Sequence, residues 1–212
     1  MAQQKQNPET EKMVSNFETL TQLVSKISDE SVRDSLGTML RENQTRIMTA
    51  PNSTKVEFPG AYNGGLVSVS LQILKLMIKM NEALSLNIKK DDLIIVGLFH
   101  NLGKIGSNKQ DYYCVQTSSW HRENLGQMFK LNDDIDDNLT PHIRSLQILN
   151  NAGVCLSSDA FSAIVSLSNL TGEQPASSTE IYKAPDLVTI FQAAFKLTTA
   201  DASRNIKKSV LD

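Results

Sequence analysis

The run LVSVSLQILKLMIKMNEALSL, from Leu66 to about Leu86, is apolar on more than one helical face. Such a helix is stable only in the middle of a bundle, with partners on several sides. It is followed almost at once by LIIVGLFHNLGKIG, Leu93 to Gly106. Asp91 or Asp92 stands where an N-cap would be, and the pattern predicts a second buried helix through Leu102, its end marked by Gly103. Two adjoining helices that need burial on most of their surface commit the chain to a packed helical core. Its 212 residues, 40% of them apolar, suffice for one such core.

The remaining segments fit around that pair. Met13, Val14, Phe17, Leu20, Val24 and Ile27 recur near helical spacing, and Val32, Leu36, Met39 and Leu40 repeat the pattern after Ser28-Asp29, so an N-terminal helical pair is expected over 13–48. Residues 1–12 read as a disordered N-terminus. Thr49 to Gly65, rich in Pro, Gly and Asn, reads as an ordered loop with a short extended piece around Val56–Phe58. A loop is expected around Asn108 to Gln116, then a short helix in SSWHRENLGQMF and an acidic connection in LNDDIDDNLTP. Thr140 and Pro141 start a helix that reaches Asn151 and stops at Gly153. Ser157 or Ser158 opens another through about Leu167, TGEQPASSTEIYKAPD is a long polar loop, and Leu187 to about Val210 is a last helix. The sum is an all-α fold of seven to eight helices with almost no strand, one globular unit overall.

Several function classes are disfavoured by composition. A net charge of -2 gives no general pull toward nucleic acid or anionic lipid. Cys114 and Cys155 are the only cysteines and lack CxxC spacing, so neither a disulfide framework nor a cysteine zinc site is expected. The start MAQQKQNPETEK lacks an apolar signal core and no stretch approaches about 20 apolar residues, so a cytoplasmic protein without a membrane partner is expected. Asp133, Asp134, Asp136 and Asp137 lack the glycine and twelfth-position glutamate of a calcium loop and read as a solvated turn.

Chemistry, if present, centres on three histidines, His100, His121 and His142. Spacing alone reads His100, after an apolar run, as a satisfied core residue, and His142 as an exposed or capping histidine. Lys104 lies four residues beyond His100, so a helix continued by one turn would put both on one face. Arg122 and Arg144 suit phosphate oxygens through their planar forks, or else belong to solvated faces and ion pairs with Glu123, Asp133 or Asp134. Trp120, the only tryptophan, is read as core packing in preference to stacking on a base.

The order GGLVSVSLQIL, LIIVGLFHNLGKIG, SSWHRENLGQMFKLNDDI, TPHIRSLQILNNAG, AFKLTTADASRN, spanning about Phe58 to Asn205, resembles the HD-domain metal-dependent phosphohydrolase superfamily. It looks most like the small HD proteins carried by tailed phages. The resemblance implies an HD-like helical domain over 58–212, with the N-terminal pair packed on it or extending from it. It also implies a divalent metal (Mn, Mg, Fe or Zn) that polarises a phosphoester and activates water. Carried over residue by residue, the His-Asp pair becomes His100-Asn101, the final aspartate becomes Asp201, and one intermediate histidine corresponds to His142. Lys104 takes the place of a lysine near the phosphates, with Arg122 and Arg144 as candidates to join it.

Other ligand positions have gone. Val69, between Ser68 and Ser70, stands where the first histidine is expected, and Leu167 and Ser168 stand where a later one is. Asn101 keeps a carbonyl oxygen without the charge, a difference of several kcal/mol at metal contact distance. The reading is a degenerate HD-type protein, host-cytoplasmic if phage-encoded, that binds a nucleotide, another phosphorylated ligand or a protein partner with little or no hydrolysis. Two alternatives stay open: an active phosphohydrolase with a reduced site at His100, His142 and Asp201, and a structural or interaction protein whose pocket is closed by apolar side chains. Self-association stays open too.

Overall fold

The structure, a computed structural model, describes residues 7–107, 110–135, 138–170 and 184–211, with side chains described up to residue 200 except at Asn169. The described residues are mostly helical, with one two-stranded sheet. The helices are α1 (Pro8–Val24), α2 (Glu30–Glu42), α3 (Gln44–Thr49), α4 (Gly65–Leu84), α5 (Lys90–Phe99), α6 (Ser119–Leu125), α7 (Pro141–Asn151), α8 (Ser158–Val165), α9 (Leu167–Leu170) and α10 (Asp186–Leu211). A 3₁₀ turn covers Leu102–Ile105, and the strands are β1 (Tyr113–Val115) and β2 (Phe129–Leu131).

The doubly apolar run takes the central place its pattern demands. Residues 65–70 of α4 are all buried, and α4 packs against α1, α3, α5 and α10. Leu93 through Phe99 of α5 are buried as well. The two helices approach closely at Gly97, where a Cβ would lie 2.8 Å from that of Leu74. The N-terminal pair packs on this body, α1 touching both α4 and α5.

Four local expectations change, the last at the end of α5. α1 begins at Pro8, where the Asn7 side chain accepts from the Glu9 amide, ahead of Met13 where the apolar period starts. Asp91 does not cap its own helix, whose N-cap is Lys89 without a side-chain cap. Its carboxylate instead accepts from the backbone amides of Ser28 and Asp29, tying the α1–α2 connection to the body. The segment read as loop from Asn108 to Gln116 contains β1, which pairs antiparallel with β2, Cys114 opposite Lys130, and α6 lies between the strands. The extended piece near Val56 joins this excursion through a bridge from Lys55 to Gln127.

The helix expected to run through Leu102 stops at Phe99, with His100 as its C-cap. The tighter 3₁₀ turn follows because α7 lies directly on it. Ser145 Oγ accepts from the Gly103 amide at 2.8 Å, donates to Pro141 O at 2.8 Å and lies 3.1 Å from His100 O. Any side chain at Gly103 would collide with α7, since a Cβ there would sit 2.1 Å from Pro141 O and 2.7 Å from Arg144 Cβ. Glycine is required here for close approach.

Gly103→Ala is therefore expected to cost about 3 kcal/mol by overpacking. Ser145→Ala, which leaves a buried amide unsatisfied, should cost about 1–3 kcal/mol. Urea denaturation followed by far-UV circular dichroism checks both, and the double variant should lose less than the sum because the two changes break one contact.

Candidate functional site

His100 is 0% exposed. Its Nδ1 lies 3.1 Å from Val96 O and 3.2 Å from Gly97 O. Carbonyls only accept, so Nδ1 carries the proton and Nε2 presents a lone pair, buried and with no hydrogen-bond partner. Phe191 and Phe195 of α10 lie edge-on to the ring, with centroids at 5.1 and 6.0 Å. Burial, helped by the nearby charge of Lys104 and opposed by the two carbonyls, pushes the imidazole down to about 4. At neutral pH it is a neutral, enclosed ring.

The other residues expected to hold a metal are placed as follows. Asn101 is buried beside it. His142 is buried rather than exposed, and its Nε2 lies 2.8 Å from Ser168 Oγ and 3.2 Å from Thr140 Oγ1. Ser168 thus meets His142 at the position where the HD pattern would place a further histidine. Asp201 belongs to α10, but its side chain lies outside the described residues. Val69 and Leu167 are both in the hydrophobic core. Among the described residues no three His, Cys, Asp or Glu side chains cluster as a metal site, a set of donors that includes neither the amide of Asn101 nor the side chain of Asp201.

The basic candidates separate. Arg144 is 1% exposed, donates to Gly103 O at 3.3 Å and holds its guanidinium over the Tyr112 ring at 4.9 Å. It is a buried cation and not the solvated residue that its place on a helix suggested. Arg122 and Trp120 ride on α6, which buries none of its residues. Trp120 is 58% exposed, against the expectation of core packing. An indole at this position is left in water because α6 rises from a two-stranded sheet too small to cover it.

Lys104 is placed by the 3₁₀ turn rather than by a continued helix, and its ammonium reaches across to the loop between α3 and α4. Nζ donates to the backbone oxygen of Asn52 and, at 3.0 Å, to Asn52 Oδ1. Burial pushes its amine down to about 7. Asn52 is itself fixed: its amide nitrogen donates to Pro59 O at 3.0 Å and its backbone amide to Gly60 O at 2.8 Å. Gly60 (φ +79°) makes that turn, since a Cβ there would sit 2.7 Å from Asn52 Cβ.

Lys104 opens on a cavity of about 510 Å³, also lined by Arg46, Asn63, Gln110, Asp111 and Tyr113. Arg46 was not singled out by sequence, because nothing local distinguishes it from a solvated helix residue. Its Nε bonds Asp111 Oδ1 at 2.8 Å, and its Nη2 donates to Gln110 O at 2.8 Å and to Ile105 O. Nη1 and the Tyr113 hydroxyl have no hydrogen-bond partner among the described residues. Gln110 Oε1 is buried without a partner. The cavity thus combines two cations with unspent donors and one unspent acceptor, and His100 does not line it.

The acid limb of stability should report His100. Its folded pKa of about 4 lies below the ordinary 6.5. Between those values the unfolded chain takes up a proton that the folded chain refuses, so this contribution is complete above 6.5 and is lost as pH falls toward 4. The loss amounts to about 3 kcal/mol. Lys104, shifted down from 10.5 to about 7, acts only above that window. His100→Phe should flatten the slope between pH 4 and 6.5 in urea titrations, and an unchanged slope would remove the assignment.

Compared with known proteins, the chain matches no family model, no curated protein sequence and no solved structure.

Proposed function

We propose that the protein is a degenerate HD-type domain that binds a nucleotide or another phosphorylated small molecule in the Lys104–Arg46 cavity, with little or no hydrolysis. The observation that carries this reading is the placement of two cations on one cavity, while the imidazole beside them is sealed away from it. An anion can be held by Lys104 Nζ and the unspent Arg46 Nη1 without a metal. Hydrolysis would require an activated water, and the described residues supply neither a metal donor set nor a base lining the cavity with a free imidazole. The HD ancestry is supported by the meeting of His142 with Ser168 and by the burial of His100-Asn101 in the middle of a helical body.

A second reading, docking of a protein partner, is favoured by a separate observation. Val56, Phe58, Val115, Trp120, Leu125, Met128 and Leu131 are all substantially exposed on the β1–α6–β2 excursion and the strand-like loop bridged to it. Among the described residues, no helix is long and apolar enough to cross a membrane.

Thermal shift without added metal tests the ligand reading. Inorganic phosphate, nucleoside monophosphates and nucleoside triphosphates form the panel, and a ligand at 100 times its Kd should stabilise by about 2.7 kcal/mol. Lys104→Ala should remove the shift. Stoichiometric Mn²⁺ uptake with turnover of a phosphodiester would overturn the reading in favour of an active enzyme, and silence across the panel would favour the docking role.

A further inference from the structure

We propose that Lys104 is a carbonyl-capturing amine, whose Nζ adds to the aldehyde or ketone carbon of a small anionic ligand to form an imine while Arg46 holds the anionic end. This rests on the reading of the cavity as an anion site and names the ligand's reactive group.

The fixed placement of Nζ on the cavity carries the argument. A neutral amine has two N–H groups and one lone pair. Among the described residues Nζ meets two acceptors, Asn52 O and Asn52 Oδ1, and no carboxylate. When the amine is neutral those acceptors satisfy both N–H groups and the lone pair is left over for an electrophile in the cavity; when it is charged, one N–H is left over instead. The acceptors are rigid, because Asn52 is buried and clamped by Pro59 O and Gly60 O. The amine is thereby aimed rather than free to swing, which favours attack on a bound carbonyl. The charged and titratable groups around it are Arg46, Asp111, Tyr113 and Cys114 of the cavity wall and the enclosed His100. None of them forms an ion pair with Nζ among the described residues. Burial lowers the amine to about 7, so the neutral form is populated near neutrality.

The step balances without an oxidant or a reductant. The Nζ lone pair forms a bond to the carbonyl carbon, both N–H protons pass to the carbonyl oxygen, and the C–O bond breaks as one water leaves. Protonation of the imine restores one N–H for Asn52 Oδ1. Arg46, pinned by Asp111 and Gln110 O, keeps Nη1 toward the anion, and the Tyr113 hydroxyl is available to donate to it.

The test treats the full chain with pyridoxal 5′-phosphate, traps with borohydride and maps the reduced adduct by peptide mass spectrometry. Pyridoxal supplies the aldehyde without phosphate, and pyridoxamine 5′-phosphate supplies the phosphate without an aldehyde. The expected result is an adduct on Lys104 formed at least about tenfold faster at pH 7 than on any other lysine, since ordinary lysines titrate near 10.4. Its rate should be half-maximal near pH 7, it should be slowed by pyridoxamine 5′-phosphate, and it should be weak with pyridoxal. Lys104→Arg should lose the adduct with its circular dichroism unchanged; the wild-type map stands alone if that variant does not fold. If pyridoxamine 5′-phosphate raises Tm but Lys104 reacts no faster than its peers, the imine is overturned and the anion site survives. If neither phosphate compound shifts Tm or protects any lysine, both fall. Equal labelling by pyridoxal overturns the role given to Arg46.

Discussion

The contact between Gly103 and Ser145 is the constraint on which the middle of the molecule depends. One hydroxyl on α7 serves a backbone amide and two backbone oxygens, and it can do so only because Gly103 has no side chain. The contact ends α5 at His100, forces the next residues into a 3₁₀ turn and so decides where Lys104 points. It also turns α7 so that His142, Arg144 and Ser145 are buried while Ile143, Leu146 and Ile148 are only partly covered. Polar groups go inward on this helix because the turn beneath it offers main-chain partners.

The main helices were legible because their sequences carry two independent signals, apolar period and punctuation. Ser157 caps α8, Pro141 opens α7 behind Thr140, and the all-round apolar pattern of Leu66–Met77 becomes the buried half of α4. The strands escaped because three residues are too few to display a period, and Tyr-Cys-Val or Phe-Lys-Leu reads equally as loop. Asp91 illustrates a different failure: an acid at a helix start suggests a cap for that helix, yet its partners are amides more than sixty residues away.

The site was less legible than the fold because its geometry is non-local. His100 and Lys104 could be named from sequence, and Val69 and Leu167, singled out there as well, are buried in the core. The partner of Lys104 is Asn52, and the second cation is Arg46, both far away in sequence and both ordinary in local pattern. Arg144 was misplaced for a related reason. An arginine on an amphipathic helix is usually solvated, and here the carbonyl of Gly103 and the face of Tyr112 help to make burial tolerable.

The surface position of Trp120 has a consequence for optical work on this chain. The only indole is already in water in the native state, held edge-on to His121 on a helix with no buried residues. Its emission maximum will hardly move when the core melts, so a fluorescence-monitored melt would report an apparently featureless protein. The same indole is well placed to respond to iodide and to anything that settles on the β1–α6–β2 excursion. In this molecule the intrinsic fluorophore is a sensor of contact at the surface, and the state of the core has to be read from the backbone.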